Sequence, residues 1–149
     1  MSTIANNLTY KVNAAISVDD FRSLIKQSPL NSIVPTDDTK QLRSMIENAN
    51  LLISVWLDQR FIAYIRAITD FSFCCYISEM IIHNDYQNNG IGTQLIQMIA
   101  TELPTKCSII FLSTEETQDY YLKQGFNPFT LAWHTRVQDL LDKQNISTP

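Results

Sequence analysis

The sequence predicts an α/β domain in which six to seven strands alternate with about four helices, and three observations carry that expectation. Runs rich in β-branched and aromatic residues, such as "LLISVW", "RFIAYIRAIT" and "SIIFLS", are interspersed with segments whose apolar residues recur at three- and four-residue spacing. The stretch "FSFCCYISEMIIHND" is apolar on both faces, as suits a central strand in a covered sheet. Finally, Gly90 and Gly92, two of only 3 glycines, stand one residue apart where that strand gives way to a helix. At an average usage of roughly 7 % glycine, a chain of this length would carry about ten.

In chain order, "LTYKV" reads as a first strand. "SVDDFRSLIKQS" follows as a helix, with Ser17 as N-cap and Phe21, Leu24 and Ile25 at helical spacing, ending at Pro29. "PLNSIVP" reads as a loop. "TDDTKQLRSMIENAN" is a second helix with Leu42, Met45 and Ile46 on one face and acidic residues near its start. "NLLISVWLD" and "RFIAYIRAIT" form a hairpin turning at Asp58 and Gln59, and the strand within "FSFCCYISEMIIHND" comes next. The helix after it begins near Gly92 and stops before Pro104, with Leu95, Ile96, Met98, Ile99 and Leu103 on its apolar face. "CSIIFLS" is another buried-type strand. "STEETQDYYLKQGF" opens with Ser113 and Glu116 at capping-box spacing and closes on Gly125, where a left-handed cap is wanted. "FNPFTLAWHTRV" alternates as a strand does, or as a hairpin bent at Asn127 and Pro128, and the polar tail 137–149 is expected to fray. No repeat or linker divides the chain, so a single domain is expected over 1–149, with its core at about 8–136.

Composition limits the partners. With 11 Lys and Arg against 15 Asp and Glu, the formal charge is -4, so no global field favours nucleic acid or an anionic membrane. A small anionic ligand remains compatible, because amides at a helix start hold phosphate without net positive charge. The 3 cysteines, Cys74, Cys75 and Cys107, have neither a disulfide framework nor paired zinc spacing. The N-terminus lacks the layout of a signal peptide, and no apolar run approaches the ~18 residues of a spanning helix. A soluble, cytoplasmic protein is expected.

A lone G-x-G is compatible with a plain tight turn. A mononucleotide P-loop requires Gly-Lys-Ser/Thr, but Gly92 is followed by Thr93 and Gln94. A dinucleotide fold requires a third glycine and an acidic residue about 20 positions on, and neither pattern is met. What the residues resemble is the GNAT superfamily of N-acetyltransferases, whose signature Gln/Arg-x-x-Gly-x-Gly/Ala reads here Gln87-Asn88-Asn89-Gly90-Ile91-Gly92. That family also places a tyrosine four residues before a Gly-Phe pair, as in Tyr121-Leu122-Lys123-Gln124-Gly125-Phe126. The likeness, to small bacterial-type members of unassigned substrate, extends over roughly residues 8 to 136.

The resemblance implies a central, mixed, mostly antiparallel twisted sheet whose two central parallel strands, "SEMIIH" and "SIIFLS", splay apart to receive acetyl-coenzyme A. The pyrophosphate would then lie on the amides of Asn88, Asn89, Gly90, Ile91, Gly92 and Thr93, beside Gln87. The pantetheine would pair with the backbone of Met80, Ile81 and Ile82. Where relatives often carry Arg or Lys before the first glycine, this chain has Gln and two Asn, so its grip would rest on amides and the helix dipole.

Acetyl transfer needs a neutral amine, a donor for the oxyanion and a proton for the leaving thiolate. Tyr121 is the expected proton donor, with Tyr120 as its control one step round the helix. The backbone around Met80–Ile82 is the expected oxyanion donor. No single base stands out: the positions often used in the family hold Ser78 and Tyr76, while Glu79, the only carboxylate of the central strand, lies by strict alternation on the face opposite Ser78. A water chain ending on Glu79 or Asp70 is the expected substitute. His83 and His134 read as structural or surface groups, Cys74 and Cys75 as packing, and Trp56 and Trp133 as sheet packing. Fold analogy assigns the acceptor pocket to the 28–38 loop, the 70–72 turn and the last strands.

The sequence thus predicts an acetyl-coenzyme A dependent N-acetyltransferase acting on a primary amine, chiefly of a small molecule, by direct attack in a ternary complex and without a metal. Acetylation of a protein N-terminus or lysine is the second enzymatic expectation, and a non-catalytic coenzyme A sensor the third. A homodimer is compatible with the resemblance.

Overall fold

A computed structural model describes residues 7–145, which fall into two compact units, Met1–Leu112 and Ser113–Pro149. The first holds a five-stranded sheet in the order β1 (Leu8–Val12), β2 (Leu51–Leu57), β3 (Arg60–Thr69), β4 (Cys74–Ile82), β5 (Ser108–Phe111). The first three pairings are antiparallel and the last, β4 with β5, is parallel. The β2–β3 turn falls at Asp58 and Gln59, with Asp58 at φ 53°, a left-handed conformation that Asp tolerates better than most residues.

Helices α1 (Val18–Lys26), α2 (Thr39–Glu47) and α3 (Ile91–Thr101) cover the sheet. The Ser17 hydroxyl accepts from the Asp20 amide and so caps α1, and Asp38 caps α2 by accepting from the Gln41 amide. The segment expected as a loop contains a 3₁₀ turn, Pro29–Ser32, started by the buried Ser28. Phe21, Leu24 and Ile25 of α1 and Leu42 of α2 join Leu52, Phe61, Tyr64 and Ile81 in one buried cluster. Phe21 and Tyr64 rings lie 4.8 Å apart. The alternate strand residues, among them Ile53, Val55 and Ile65, are also buried, and α3 packs on β2, β3 and β4 with Ile91, Leu95, Ile96 and Ile99 inside. Helices therefore lie on both faces, which is why β3 is buried from Phe61 to Ala67.

The second unit contains α4 (Gln118–Lys123) and α5 (Val137–Asn145). Gly125 at φ +91° follows α4. The Phe126 amide donates to the Tyr121 carbonyl and the Gly125 amide to that of Leu122, each at 3.1 Å, which is the Schellman closure of a helix.

Several expectations are corrected here. Among the described residues the sheet has five strands rather than six to seven. The alternating "FNPFTLAWHTRV" forms no strand: residues 126–136 are irregular, with Phe129, Leu131 and Trp133 71 %, 70 % and 94 % exposed. Alternation makes a strand only when a neighbouring strand completes the ladder and a surface covers the apolar side. Trp133 lies on this irregular segment, whereas Trp56 of β2 lies tilted against Phe61 at 5.1 Å and donates its indole N–H to Ser54. Part of the tail expected to fray is helix α5, and residues 146–149 of it lie outside the described residues. The capping box is not made either; a 3₁₀ turn, Glu115–Thr117, precedes α4, whose N-cap Thr117 makes no side-chain cap.

Candidate active site: an opened strand edge and a helix-start cradle

β4 and β5 pair over only four rungs, from Cys74 with Ser108 to Ile77 with Phe111. Beyond Ile77, β4 continues to Ile82 while β5 ends, so among the described residues Ser78 to Ile82 have no strand partner on that side. Alternate N–H and C=O groups of such a segment face outward, ready to pair with an extended ligand. Met80 and Ile82 are half-buried on this stretch and Ile81 is buried in the core.

The edge leads directly into the loop of Gln87 to Gly92. His83 ends the strand, accepting the Asp85 amide on Nδ1 at 3.1 Å, and it is held from outside by Gln27 and by Arg60 Nη2 at 3.0 Å. This buried imidazole is a structural tie, as expected. Gln87 turns back to donate to the Ile82 carbonyl, and the Asn89 amide group donates to the carbonyls of Tyr86 and Gln87. Asn88 at φ 61° and Gly90 at φ 78° are both left-handed. Gly90 is the N-cap of α3 and supplies no side-chain cap, and the first helical bond is made by the Gln94 amide to the Gly90 carbonyl. Amides at the first turn of an 11-residue helix are thus presented by a loop that only glycine adopts without strain at position 90. The positive end of the helix dipole adds to these amides, so the loop could hold an anion. The two segments expected to hold the cofactor, Met80 to Ile82 and Gln87 to Thr93, adjoin at the end of β4, where Gln87 bonds the Ile82 carbonyl.

The expected acid–base groups are placed differently from one another. Glu79 is buried and bound to Arg66: Nε donates to Oε1 at 2.5 Å and Nη2 to Oε2 at 2.8 Å, while the Tyr64 hydroxyl donates to Oε1 at 3.2 Å. Burial, reinforced by the Glu79 charge, pushes the Tyr64 phenol well up. For Arg66, burial disfavours the cation but the hydrogen bonds and charge of Glu79 outweigh it, so the guanidinium stays charged. Strict alternation does not hold at this point. A β-bulge between Arg66 and Ala67 leaves Ser78 unpaired with β3, and Arg66 Nη2 donates both to Glu79 and to Ser78 Oγ, at 2.7 Å. Arg66 was missed in the sequence, though a cation and a carboxylate in adjacent buried strands signal a pair, since neither charge is tolerable alone.

Asp70 sits at the opposite end of β4, in the β3–β4 turn. Its Oδ1 accepts from the amides of Ser72, Phe73 and Cys74, and the hydrogen bond from Cys74 leads those that lower its carboxyl below the usual value. Tyr121 belongs to the second unit, on α4, where its ring stands edge-on to Phe126 at 6.0 Å and burial pushes its phenol up. His134 is exposed on the irregular segment. Cys75 is buried, its thiol pushed up to about 11 by burial. No group of three or more His, Cys, Asp or Glu among the described residues could hold a metal ion.

On the sheet, Ile68, Tyr76 and Ile110 are neighbours on β3, β4 and β5 and are 49 %, 41 % and 44 % exposed. They form an apolar row next to the opening, missed in the sequence because an apolar strand residue gives no sign of being uncovered.

Solved structures share this architecture at low identity. The protein of unknown function SA2161 from meticillin-resistant Staphylococcus aureus aligns with TM-score 0.72 and 15 % identity over 87 % of this chain and 98 % of that one. The GNAT family protein SP0256 from Streptococcus pneumoniae aligns with TM-score 0.69 and 17 % identity over 87 % and 98 %. An aminoglycoside acetyltransferase from an uncultured soil metagenomic sample, in complex with sisomicin, aligns with TM-score 0.67 and 14 % identity over 90 % and 99 %. By sequence, no curated protein matches the chain. The model of the acetyltransferase (GNAT) family matches residues 18–126, the span that contains the opened edge of β4, the cradle and α4, and the chain therefore belongs to the GNAT acetyltransferase family.

Proposed function

We propose that the protein transfers the acetyl group of acetyl-coenzyme A to a primary amine, chiefly of a small molecule, within a ternary complex. The observation that carries this reading is the continuity of the unpaired β4 edge with the amide cradle of α3, which suits a ligand with an extended amide arm and a pyrophosphate. Met80 to Ile82 would bind the arm and Asn88 to Thr93 the pyrophosphate, with Gln87 and Asn89 holding the loop in shape. Gly90 leaves open space where a side chain would project, which supports close approach of an anion there.

The amine attacks the thioester carbonyl as its neutral form. Tyr121 is the proposed proton donor to the departing thiolate, and its raised phenol keeps that proton at neutral pH. For the amine's proton we assign no dedicated side chain. The Glu79 oxygens are engaged by Arg66 and Tyr64, and three amides engage one oxygen of Asp70, so solvent water is the acceptor that fits, with Glu79 acting by fixing Arg66. The apolar row of Ile68, Tyr76 and Ile110 favours an acceptor with an apolar body beside its amine.

The test is release of free coenzyme A from acetyl-coenzyme A across a panel of small amines and of peptides with free N-termini or lysines. Turnover with small amines supports the reading. Turnover with peptides alone replaces it by protein acetylation, and tight binding without turnover by a sensor role.

A further inference from the structure

Ser78 is the first residue of β4 beyond the last rung shared with β5, and the bulge takes it out of register with β3. It is half-buried, while Glu79 beside it is buried. Its Oγ accepts from Arg66 Nη2 at 2.7 Å. A guanidinium has no lone pair, so the Ser78 hydrogen must point elsewhere. Among the described residues no protein group accepts it.

We propose that the Ser78 hydroxyl is a catalytic hydrogen-bond donor to the thioester carbonyl oxygen, with Arg66 and Glu79 as its positioning residues; the assignment rests on the acetyl-transfer reading above. Three features support it. The opened edge begins at Ser78, where a ligand running along β4 must pass. Arg66 polarises the hydroxyl by occupying its lone pair with a charged donor, which strengthens the O–H as a donor in turn. Arg66 is itself held by both Glu79 oxygens, so the donor is oriented before the substrate arrives, as effective oxyanion stabilisation requires.

In the reaction the amine lone pair forms the C–N bond and the carbonyl π pair moves onto oxygen. Ser78 stabilises that charge without giving up its proton. When the pair returns, the C–S bond breaks and its electrons leave with the coenzyme A sulfur, which takes a proton from the proposed donor Tyr121, while the nitrogen loses its extra proton to water and Tyr121 regains one from solvent.

The experiment is isotope-edited infrared spectroscopy of acetyl-coenzyme A carrying ¹³C at the acetyl carbonyl, bound to wild type, Ser78→Ala and Ser78→Thr. The inference expects the carbonyl stretch to fall on binding wild type, to return towards the free value in Ser78→Ala, and to stay low in Ser78→Thr, with calorimetric affinities alike in all three. With a turned-over amine, Ser78→Ala should lose about 10²-fold in kcat at unchanged KM for the thioester. The same stretch in Ser78→Ala as in wild type overturns the inference and leaves acetyl transfer standing. Failure of wild type to bind acetyl-coenzyme A overturns the acetyl-transfer reading, and this inference falls with it. Should Ser78→Ala fail to fold, Ser78→Cys, with its weaker S–H donor, decides: an intermediate stretch supports the assignment and a wild-type stretch overturns it.

Discussion

Alanine at position 90 isolates the backbone contribution of the cradle. Gly90 has φ 78° and ψ 0°, and a Cβ built there meets no heavy atom within 4 Å. No clash contributes, so the perturbation reduces to holding an L-residue in the left-handed region, which costs about 1–2 kcal/mol. The protein can respond in two ways. If the loop keeps its shape, the strain appears in folding: stability falls by about 1–2 kcal/mol, with Tm lower by about 2–4 °C per kcal/mol, and acetyl-coenzyme A binds as before. If the loop relaxes in the free protein, Tm barely moves, but the ligand must restore the shape and Kd rises by about 5–30-fold. The prediction is the sum of the two changes, about 1–2 kcal/mol however it is divided. Thermal denaturation and calorimetric titration of Gly90→Ala measure both parts. Gly90→Asn should lose less in total, because Asn visits the left-handed region more readily. A Gly90→Ala protein unchanged in both stability and affinity would refute the argument.

Other expectations follow from the same structure. Gly92→Val should weaken acetyl-coenzyme A binding with the fold retained, as read by titration and circular dichroism; wild-type affinity would contradict the amide cradle. Tyr121→Phe should lower turnover while leaving cofactor affinity intact, and Tyr120→Phe should change neither. Arg66→Met leaves Glu79 as an uncompensated buried carboxylate and should cost about 3–5 kcal/mol by denaturant unfolding, whereas the double variant with Glu79→Leu should recover most of the loss. Asp70 has a folded value below its unfolded one, so its contribution is present above the unfolded carboxyl value and is lost as pH falls through the folded one. The Tm difference between wild type and Asp70→Ala should therefore shrink on acidification to about pH 2, and a difference independent of pH would contradict the capping role.

The sequence conveyed local structure best where one residue has a single physical use. Ser17 could be read as a cap, Gly125 as a left-handed closure, and the pair at Gly90 and Gly92 as a helix start, because each rests on neighbours within a few positions. What it did not convey depends on partners far along the chain. The bulge at Ser78 arises from the pairing of β3 with β4, so strict alternation set Ser78 and Glu79 on opposite faces when one guanidinium holds both. The alternating residues from Phe129 to Trp133 have the pattern of a strand but no ladder, and the sequence cannot show whether a ladder is available. Helix α5 was obscured because its charged and amide side chains resemble those of a solvated tail.

Calorimetric titration of the protein with acetyl-coenzyme A, set against NAD and adenosine without phosphate, decides whether this chain binds the thioester. Saturable binding of the thioester, with neither control binding, is the result expected if the β4 edge and the α3 cradle act together on an extended arm and a pyrophosphate. Absence of binding at millimolar thioester, or equal binding of NAD, would contradict it.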